Sequence, residues 1–198
     1  LGTNDGGSKI IQWMNWMAYD AFVPGVRDFD QGVENLSRLK KEANFPFLIS
    51  NLEGIEGKED YEILDFNGTK IGIIGLITPF LFDGLLPKNH EGVEVSDILK
   101  SLNAQIIKIR NDVDLIFVLS HLGVPYDRED EYKSFISDIE QGKSRPVRNA
   151  LELAHYTNDV DVIITGGVSK GYNTPWVDPN THTIVVQNYG NLTGIGHL

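Results

Sequence analysis

The chain has 198 residues, and its 28 acidic side chains against 17 Lys and Arg give a formal net charge of −11 at pH 7. This balance argues against a nucleic acid as partner, because proteins that bind nucleic acids are usually basic. A small phosphate ligand in a local positive pocket is still compatible with it. Zero cysteines exclude disulfides, thiolate nucleophiles and Cys-type zinc sites. No apolar run approaches the ~20 residues that a membrane-spanning helix needs.

The first part of the chain alternates between helical and strand patterns. Apolar residues at helical spacing predict a helix over 7–18, with Ser8 as its N-cap. Residues 19–25 are typical of a strand that ends in a Pro-Gly turn. Asp30 then has the position of an N-cap for a second helix over 31–43.

The middle of the chain carries the clearest hairpin signal. Residues 61–78 contain two strand-like runs joined by Asn67 and Gly68, a pair that supplies the positive φ angles of a tight turn. A helix is predicted over 97–111, with Ser96 as its cap.

The second half mixes one polar stretch with further apolar strands. Residues 124–145 are charged enough to form a mobile excursion, in part helical. A helix over 145–158 is expected to begin near Pro146, because proline suits the first helical turn. The remaining buried strands are expected at 45–52, 113–121, 160–167 and 182–190.

This alternation predicts an α/β fold. Near-continuous apolar strands separated by helices are typical of a sheet that is covered on both faces, and the hairpin adds antiparallel pairing, so mixed sheets are expected. Ligands of such sheets bind at the carboxyl ends of strands. Four strand ends are therefore candidate site segments: 25–30, 50–51, 120–123 and 166–170.

These strand ends carry a resemblance to a known family. The chain resembles the 5′-nucleotidase branch of the calcineurin-like metallophosphoesterases, whose loop Gly-Asn-His-Glu-Phe-Asp corresponds to residues 25–30. The resemblance covers essentially the whole chain and implies a four-layer α/β/β/α sandwich around a two-metal phosphatase site. The segments that carry it, in the family's order, are "YDAFVPGVRDFDQG", "FPFLISNL", "IGIIGLITP", "LIFVLSHLG" and "VDVIITGGVSK".

The chain departs from the family where the metals would bind. The loop's Asn, a metal ligand, and its His, the general acid, correspond to Val26 and Arg27. The two histidines of the family's Gly-His-x-His correspond to Val168 and Lys170. Of the family's usual metal ligands only His121 has a counterpart, since the early Asp-x-His and Gly-Asp motifs are expected before residue 1.

Three further residues complete the candidate site. Asp30 matches the carboxylate that orients the family's catalytic His, although a helix cap is the plainer interpretation. Asn51 lies where the family often has an Asn. Because Arg27 and Lys170 are cations at positions that surround cations in the family, we hypothesise that their fixed charges replace the metal charge and hold an anion, with Asn51 beside them.

The resemblance implies one metallophosphoesterase-like domain over 1–198, without the family's first metal-binding segment and C-terminal substrate domain. The leading interpretation is a pseudo-enzyme that needs no cofactor and binds phosphate, a nucleotide or a protein. One alternative is an active 5′-nucleotidase-like hydrolase with two divalent metals, such as Mn or Zn, held by His121, Asp28, Asp30 and segments outside this chain. Another is a structural or interaction domain of a larger exported protein. Family habit suggests a periplasmic or extracellular location.

Overall fold

The computed structural model describes residues 5–190 and 193–196. It contains helices and strands in a mixed α/β order, which confirms the predicted fold class. The helices are α1 (Ser8–Trp16), α2 (Val33–Glu42), α3 (Ile98–Ile109), α4 (Arg128–Glu140) and α5 (Ala150–His155). The strands are β1 (Leu52–Glu53), β2 (Tyr61–Phe66), β3 (Thr69–Leu76), β4 (Glu94–Val95), β5 (Leu115–Ser120), β6 (Val162–Thr165), β7 (Trp176–Val177) and β8 (Ile184–Gln187).

A six-stranded mixed sheet organises the fold, with the strand order β2-β3-β5-β6-β8-β7. The four inner strands pair in parallel, and β2 and β7 flank them in antiparallel orientation. The predicted hairpin joins β2 to β3, with Asn67 at φ 55° and Gly68 at φ 92°. A separate antiparallel pair is formed by β1 and β4.

Successive side chains of each strand point to opposite faces of the sheet, and the two faces are buried to different extents. On β5, Ile116 and Val118 are fully buried in the cluster that α3 and α5 cover. Phe117 and Leu119 point to the opposite face and are only partly buried. A groove of about 800 Å³ lies on that face, and it is lined by apolar side chains of four strands and by the segment after α1: Leu64, Phe66, Ile71, Ile73, Phe117, Leu119, Ile164 and residues 18–21.

A second core cluster is formed mainly by residues of the N-terminal third of the chain. It includes Ile11 of α1, Leu36 of α2, and Phe29 and Phe47 from the segments between them and β1. The stretch predicted as a strand over 45–52 is extended, but it forms only single bridges, from Phe47 to Phe22 and from Leu48 to Glu59, before β1 begins. The strand expected over 19–25 is likewise reduced to the bridge at Phe22.

Two predicted helix caps are wrong at the N-terminal helices. The N-cap of α1 is Gly7 rather than Ser8, whose hydroxyl instead accepts a hydrogen bond from Arg38. The N-cap of α2 is Gly32 rather than Asp30, because a short 3-10 turn over Val26–Phe29 precedes the helix and delays its start.

Two further helices, α3 and α5, begin later than predicted. Asp97, not Ser96, caps α3 by accepting a hydrogen bond from the Lys100 N–H at 2.8 Å. Asn149 caps α5 and accepts from two backbone N–H groups, so the helix begins well after Pro146. In both helices the side chain that caps is an Asp or Asn, residue types that are strongly preferred at N-caps.

The polar stretch over 124–145 is mainly helical. Its helix α4 buries Tyr132 and Phe135 against α5 and the β7 side of the sheet. The Tyr132 hydroxyl donates to Asp178 at 2.6 Å, and Asp178 is completely buried. Burial and the Asp178 carboxylate raise the pKa of Tyr132. This hydrogen bond and the two buried aromatic rings anchor the charged helix. No helix among the described residues is long and apolar enough to span a membrane.

The close packing of β3 against the 45–52 stretch generates a stability prediction. A Cβ atom on Gly75 would lie 2.1 Å from the Leu48 carbonyl oxygen, which is backbone and cannot turn away. We expect Gly75→Ala to lower the free energy of unfolding by about 1–3 kcal/mol, as overpacked core substitutions do. Urea denaturation measures this. Gly84→Ala is the matched control, since a Cβ there has nothing within 4 Å, and an equal loss in both variants would contradict the packing argument.

Candidate functional site

Three strand ends meet at one edge of the sheet. The register pairs Leu76 of β3 with Ser120 of β5, and Ser120 with Thr165 of β6. The Ser120 hydroxyl donates to the Thr165 hydroxyl oxygen at 2.9 Å, and both side chains are buried. His121 and Gly166 follow these strands directly, so two of the predicted site segments begin side by side.

The His121 imidazole lies between two glycines from different loops. A Cβ atom on Gly25 would be 2.4 Å from His121 Nε2, and a Cβ on Gly167 would be 3.2 Å from His121 Cε1 and Nδ1. Any larger residue at Gly25 would displace the ring. The loops 25–30, 120–123 and 166–170 therefore converge on His121.

Asp28 is the carboxylate nearest this junction. The Gly25 N–H donates to Asp28 Oδ2 at 2.8 Å, and the Asp28 N–H donates back to the Gly25 carbonyl at 3.0 Å. Burial raises the pKa of Asp28, and the Gly25 hydrogen bond and the nearby His121 oppose that shift. Burial lowers the pKa of His121, and Asp28 opposes the shift. These two groups are electrostatically coupled.

Arg27 and Asp30 lie at the surface of the same loop. The Arg27 side chain is 83% exposed and the Asp30 side chain 45% exposed, and their charged atoms are 3.5 Å apart. The Asp30 carbonyl accepts a hydrogen bond from the Asn89 amide at 2.9 Å. An exposed pair of this kind contributes ~0–1 kcal/mol. Within the described ranges, neither residue has a hydrogen bond or ion pair with His121.

Lys170 is held by the loop opposite. Its ammonium group donates to the Tyr126 carbonyl at 2.7 Å and lies 4.9 Å from the centre of the Tyr172 ring. It also lies 5.6 Å from the centre of the Tyr126 ring. These contacts fix the cation beside the 166–170 loop, where one of its three donors is already used.

Asn51 is completely buried and bonds to the backbone after β3. Its Nδ2 donates to the Ile77 carbonyl at 2.8 Å, and its Oδ1 accepts from the Ile77 N–H at 2.8 Å. Both ends of the amide are therefore occupied by one residue. The role that these contacts support is to position the chain where it leaves the sheet edge.

Asp28 is the residue whose importance the sequence analysis underestimated. From the sequence, Asp28 was named only as a possible metal ligand of the active hydrolase, whereas Asp30 was named as a candidate site residue. The sequence signal was the spacing between Gly25 and Asp28. A carboxylate at the third position of a helical turn commonly accepts a hydrogen bond from the backbone N–H of the N-cap residue, which here is Gly25.

The donor atoms at this junction do not fit a two-metal centre. Hydrolysis with two metals needs several oxygen or imidazole ligands that hold the ions about 3.5–4 Å apart. His121 and Asp28 supply two side chains, and Val26 and Val168 have no lone pair to add. Among residues 5–190 and 193–196, no group of three or more His, Asp or Glu side chains could hold a metal ion.

The coupling between Asp28 and His121 generates a pH prediction. Because the pKa of Asp28 is raised in the folded state, ionisation of this buried carboxyl opposes folding. The protonated carboxyl therefore contributes to the free energy of unfolding at low pH, and this contribution is lost as the pH rises. Asp28→Asn keeps an oxygen acceptor for Gly25 but cannot ionise. We expect its melting temperature to exceed that of the wild type at pH 7 and the difference to shrink near pH 3.

An NMR titration of His121 supplies the control for this prediction. Removing the Asp28 charge is expected to lower the pKa of His121 further, since Asp28 opposes the effect of burial. Asp30→Asn, at an exposed carboxylate of the same loop, should leave the His121 titration unchanged. Equal effects of the two variants would show that Asp28 has no special proximity to the ring.

Comparison with known proteins identifies relatives of one kind. The chain is 31% identical over 172 residues to the trifunctional nucleotide phosphoesterase protein YfkN of Bacillus subtilis, a match over 79% of this chain and 11% of that protein. It is 34% identical over 159 residues to the 5′-nucleotidase of Vibrio cholerae, over 77% of this chain and 27% of that protein. No family model matches the chain.

Solved structures support the same relationship. The crystal structure of YfkN, a calcineurin-like phosphoesterase, superposes with a TM-score of 0.67 and 28% identity over 91% of this chain and 57% of that one. The fold also matches a 5′-nucleotidase precursor from Thermus thermophilus, with a TM-score of 0.69, 24% identity, and coverage of 92% and 36%. The chain spans roughly a tenth to a quarter of the length of these two curated relatives. It is a metallophosphoesterase-like domain that is homologous to part of the 5′-nucleotidases and calcineurin-like phosphoesterases.

Proposed function

We propose that this chain does not itself hydrolyse phosphate esters and instead binds a phosphate-bearing anion without metal, as a pseudo-enzyme of the 5′-nucleotidase type. The observation that carries the proposal is the donor set at the sheet edge. His121 and Asp28 supply two metal-binding side chains at the junction of the three loops, and no group of three or more His, Asp or Glu side chains among the described residues could hold a metal ion.

The chemistry of the replaced positions supports the loss of hydrolysis. An attacking hydroxide at neutral pH requires a metal that lowers the pKa of bound water, and a leaving group requires an acid. Arg27, at the position of the family's general acid, cannot release a proton at an ordinary pH. Asp30 stands where a carboxylate would orient that acid, so its catalytic role would be vestigial.

Local positive charge supports anion binding. Lys170 is fixed beside the 166–170 loop by the Tyr126 carbonyl, and two of its N–H donors have no described partner. Arg27 lies two residues from Gly25, which contacts His121. In this proposal Lys170 contacts the anion directly, Arg27 attracts it from the loop surface, and Asn51 acts by positioning the backbone. The ligand is phosphate or a phosphate-bearing compound such as a nucleotide.

A specific observation also favours the active alternative. One face of the six-stranded sheet carries a groove of about 800 Å³ lined by apolar side chains, although parallel sheets are normally covered on both faces. In this second proposal, segments outside the chain cover that face and complete a metal site with His121, Asp28 and Asp30. Two divalent ions, such as Mn²⁺ or Zn²⁺, would then supply an activated water for phosphoester hydrolysis.

The domain organisation and location belong to the same set of proposals. The resemblance supports a single metallophosphoesterase-like domain over residues 1–198. If the chain bound neither metal nor anion, a structural or interaction domain of a larger exported protein would be the third function. A periplasmic or extracellular location rests on the resemblance alone.

Metal binding separates the two leading proposals. We expect a calorimetric titration of the chelator-treated chain with Mn²⁺ to give no saturable, stoichiometric heat at millimolar metal, because two side chains cannot hold a dinuclear centre. Nonspecific binding of Mn²⁺ to the acidic surface is expected to give weak heat that does not saturate, and such heat is not evidence of a metal site. Saturation near two ions per chain, followed by chelator-sensitive phosphatase activity, would establish the active alternative instead.

Phosphate binding tests the anion proposal directly. We expect the chain to bind inorganic phosphate in the presence of chelator, and Lys170→Met to weaken that binding roughly three- to tenfold, the effect of about 1 kcal/mol. Lys133→Met is the matched control, because Lys133 is an exposed lysine of α4 that pairs with Asp130. Equal affinities of wild type and Lys170→Met would remove Lys170 from the site.

A further inference from the structure

The segment that follows α1 has one paired edge and one open edge. The Phe22 N–H donates to the Pro46 carbonyl at 3.0 Å, and the Phe22 carbonyl accepts from the Leu48 N–H at 2.8 Å. In extended backbone the polar groups of successive residues point to opposite sides, so those of Ala21 and Val23 point away from this pairing. Within the part of the chain that the structure describes, the N–H and carbonyl groups of both residues have no hydrogen-bond partner. They form an unpaired strand edge.

This open edge borders the groove on the less buried face of the sheet. Ala21 lines the groove together with residues 18–20 and with apolar side chains of β2, β3, β5 and β6. The exposed apolar surface continues onto the end of α1, because the Trp13 ring lies 6.0 Å from the ring of Tyr19, another residue of the groove. Trp16, also at the end of α1, is 80% exposed. Exposed apolar surface of this extent is typical of a site that binds a partner.

The two features together specify the backbone of the partner. A strand that pairs with the open edge satisfies the N–H and carbonyl groups of Ala21 and Val23. Every second side chain of such a strand points to one face, so a single set of side chains can enter the groove. In this mode of recognition the main-chain hydrogen bonds provide affinity, and pockets for alternate side chains provide specificity. The groove is apolar, so the alternate residues of the partner are apolar as well.

Size and charge argue against a second copy of the chain as this partner. Twelve described residues line the groove, whereas a stable interface between folded proteins uses about 20–30 residues on each side. Asp20 is the only charged residue among those twelve, and the chain has a net charge of −11. Two copies would therefore repel each other, while a segment with basic residues is complementary to this surface.

We propose that the open edge at 20–24 and the adjoining groove bind an extended segment of another polypeptide, in which apolar residues alternate and basic residues flank the apolar run. The segment pairs as a strand with Ala21 and Val23. Its apolar side chains pack on Phe66 and Phe117 in the groove, and a basic residue lies beside Asp20. This interaction goes beyond the proposed anion binding and requires neither an anion nor a metal ion.

Three peptides of matched length test the pattern and the charge. The full chain is titrated by fluorescence anisotropy with labelled KVTVTVTVK, with EVTVTVTVE, and with KVVTTVVTK, which has the composition and charge of the first peptide without its alternation. We expect saturable binding of KVTVTVTVK and about tenfold weaker binding of the other two, because one repels the acidic surface and the other cannot place all its valines on one face.

Alternate N-methylation tests the strand pairing without changing the protein. One version of KVTVTVTVK carries N-methyl groups on its valines and the other carries them on its threonines, so each version loses the N–H donors of a different edge. We expect one version to bind like the parent peptide and the other to show no saturable binding, because only one peptide edge faces Ala21 and Val23. Equal binding of the two versions would overturn the strand pairing.

A protein variant tests the groove. Phe66 is 51% exposed, so Phe66→Gln changes the groove without emptying the core, and we expect it to weaken binding of KVTVTVTVK roughly three- to tenfold. Ile107→Gln is the matched control and should bind like the wild type, since Ile107 is a 78% exposed residue of α3, which packs on the opposite face of the sheet. Circular dichroism checks that both variants are folded.

The remaining outcomes contradict the proposal in different ways. Equal affinities of wild type and Phe66→Gln would remove the groove from the binding site. Equal binding of KVTVTVTVK and KVVTTVVTK would show attraction between charges without strand recognition. A lack of saturable binding by KVTVTVTVK would overturn the proposal, and a stable dimer of the chain in analytical ultracentrifugation that Phe66→Gln dissociates would assign the face to a second copy instead. Phosphate binding is measured separately, so anion binding stands or fails independently of these results.

Discussion

The parallel pairing of β5 with β3 on one side and β6 on the other is the constraint on which the site depends. Its register brings Leu76, Ser120 and Thr165 to the same level, so the loops that follow leave the sheet at one edge. The hydrogen bond between the Ser120 and Thr165 hydroxyls is buried and therefore resists any slip of one strand against the other. A shift of one residue would reverse the faces of β5, burying Phe117 and Leu119 where Ile116 and Val118 now pack, and would carry His121 away from Gly167.

Close packing at this edge explains how the loops keep their conformation. The His121 ring fits only because Gly25 and Gly167 lack side chains, and Asp28 closes the first loop by bonding to the Gly25 N–H. None of these contacts needs a metal ion. The loop architecture at this edge is therefore stabilised by backbone hydrogen bonds and by the sheet, without a contribution from a metal ion.

Several candidate residues have structural partners that a strand-end position does not reveal. Asn51 uses both ends of its amide on Ile77, Lys170 donates to the Tyr126 carbonyl, and Arg27 pairs at the surface with Asp30. The sequence indicated that these residues lie near one edge, and the edge does contain their loops. It could not indicate which of them still has free donors, because that depends on carbonyl groups supplied by segments distant in the chain.

The sequence by itself determined the mixed α/β class, the Asn67–Gly68 hairpin and that Val26 and Val168 have no lone pair to offer a metal. Each of these follows from local periodicity, turn chemistry or side-chain composition. Only the tertiary structure decided that Asp28 rather than Asp30 is coupled to His121, that the charged stretch before residue 145 folds as α4, and that Tyr126 lies beside the 166–170 loop. Those features depend on contacts between residues tens of positions apart, and such contacts exist only once the sheet register is set.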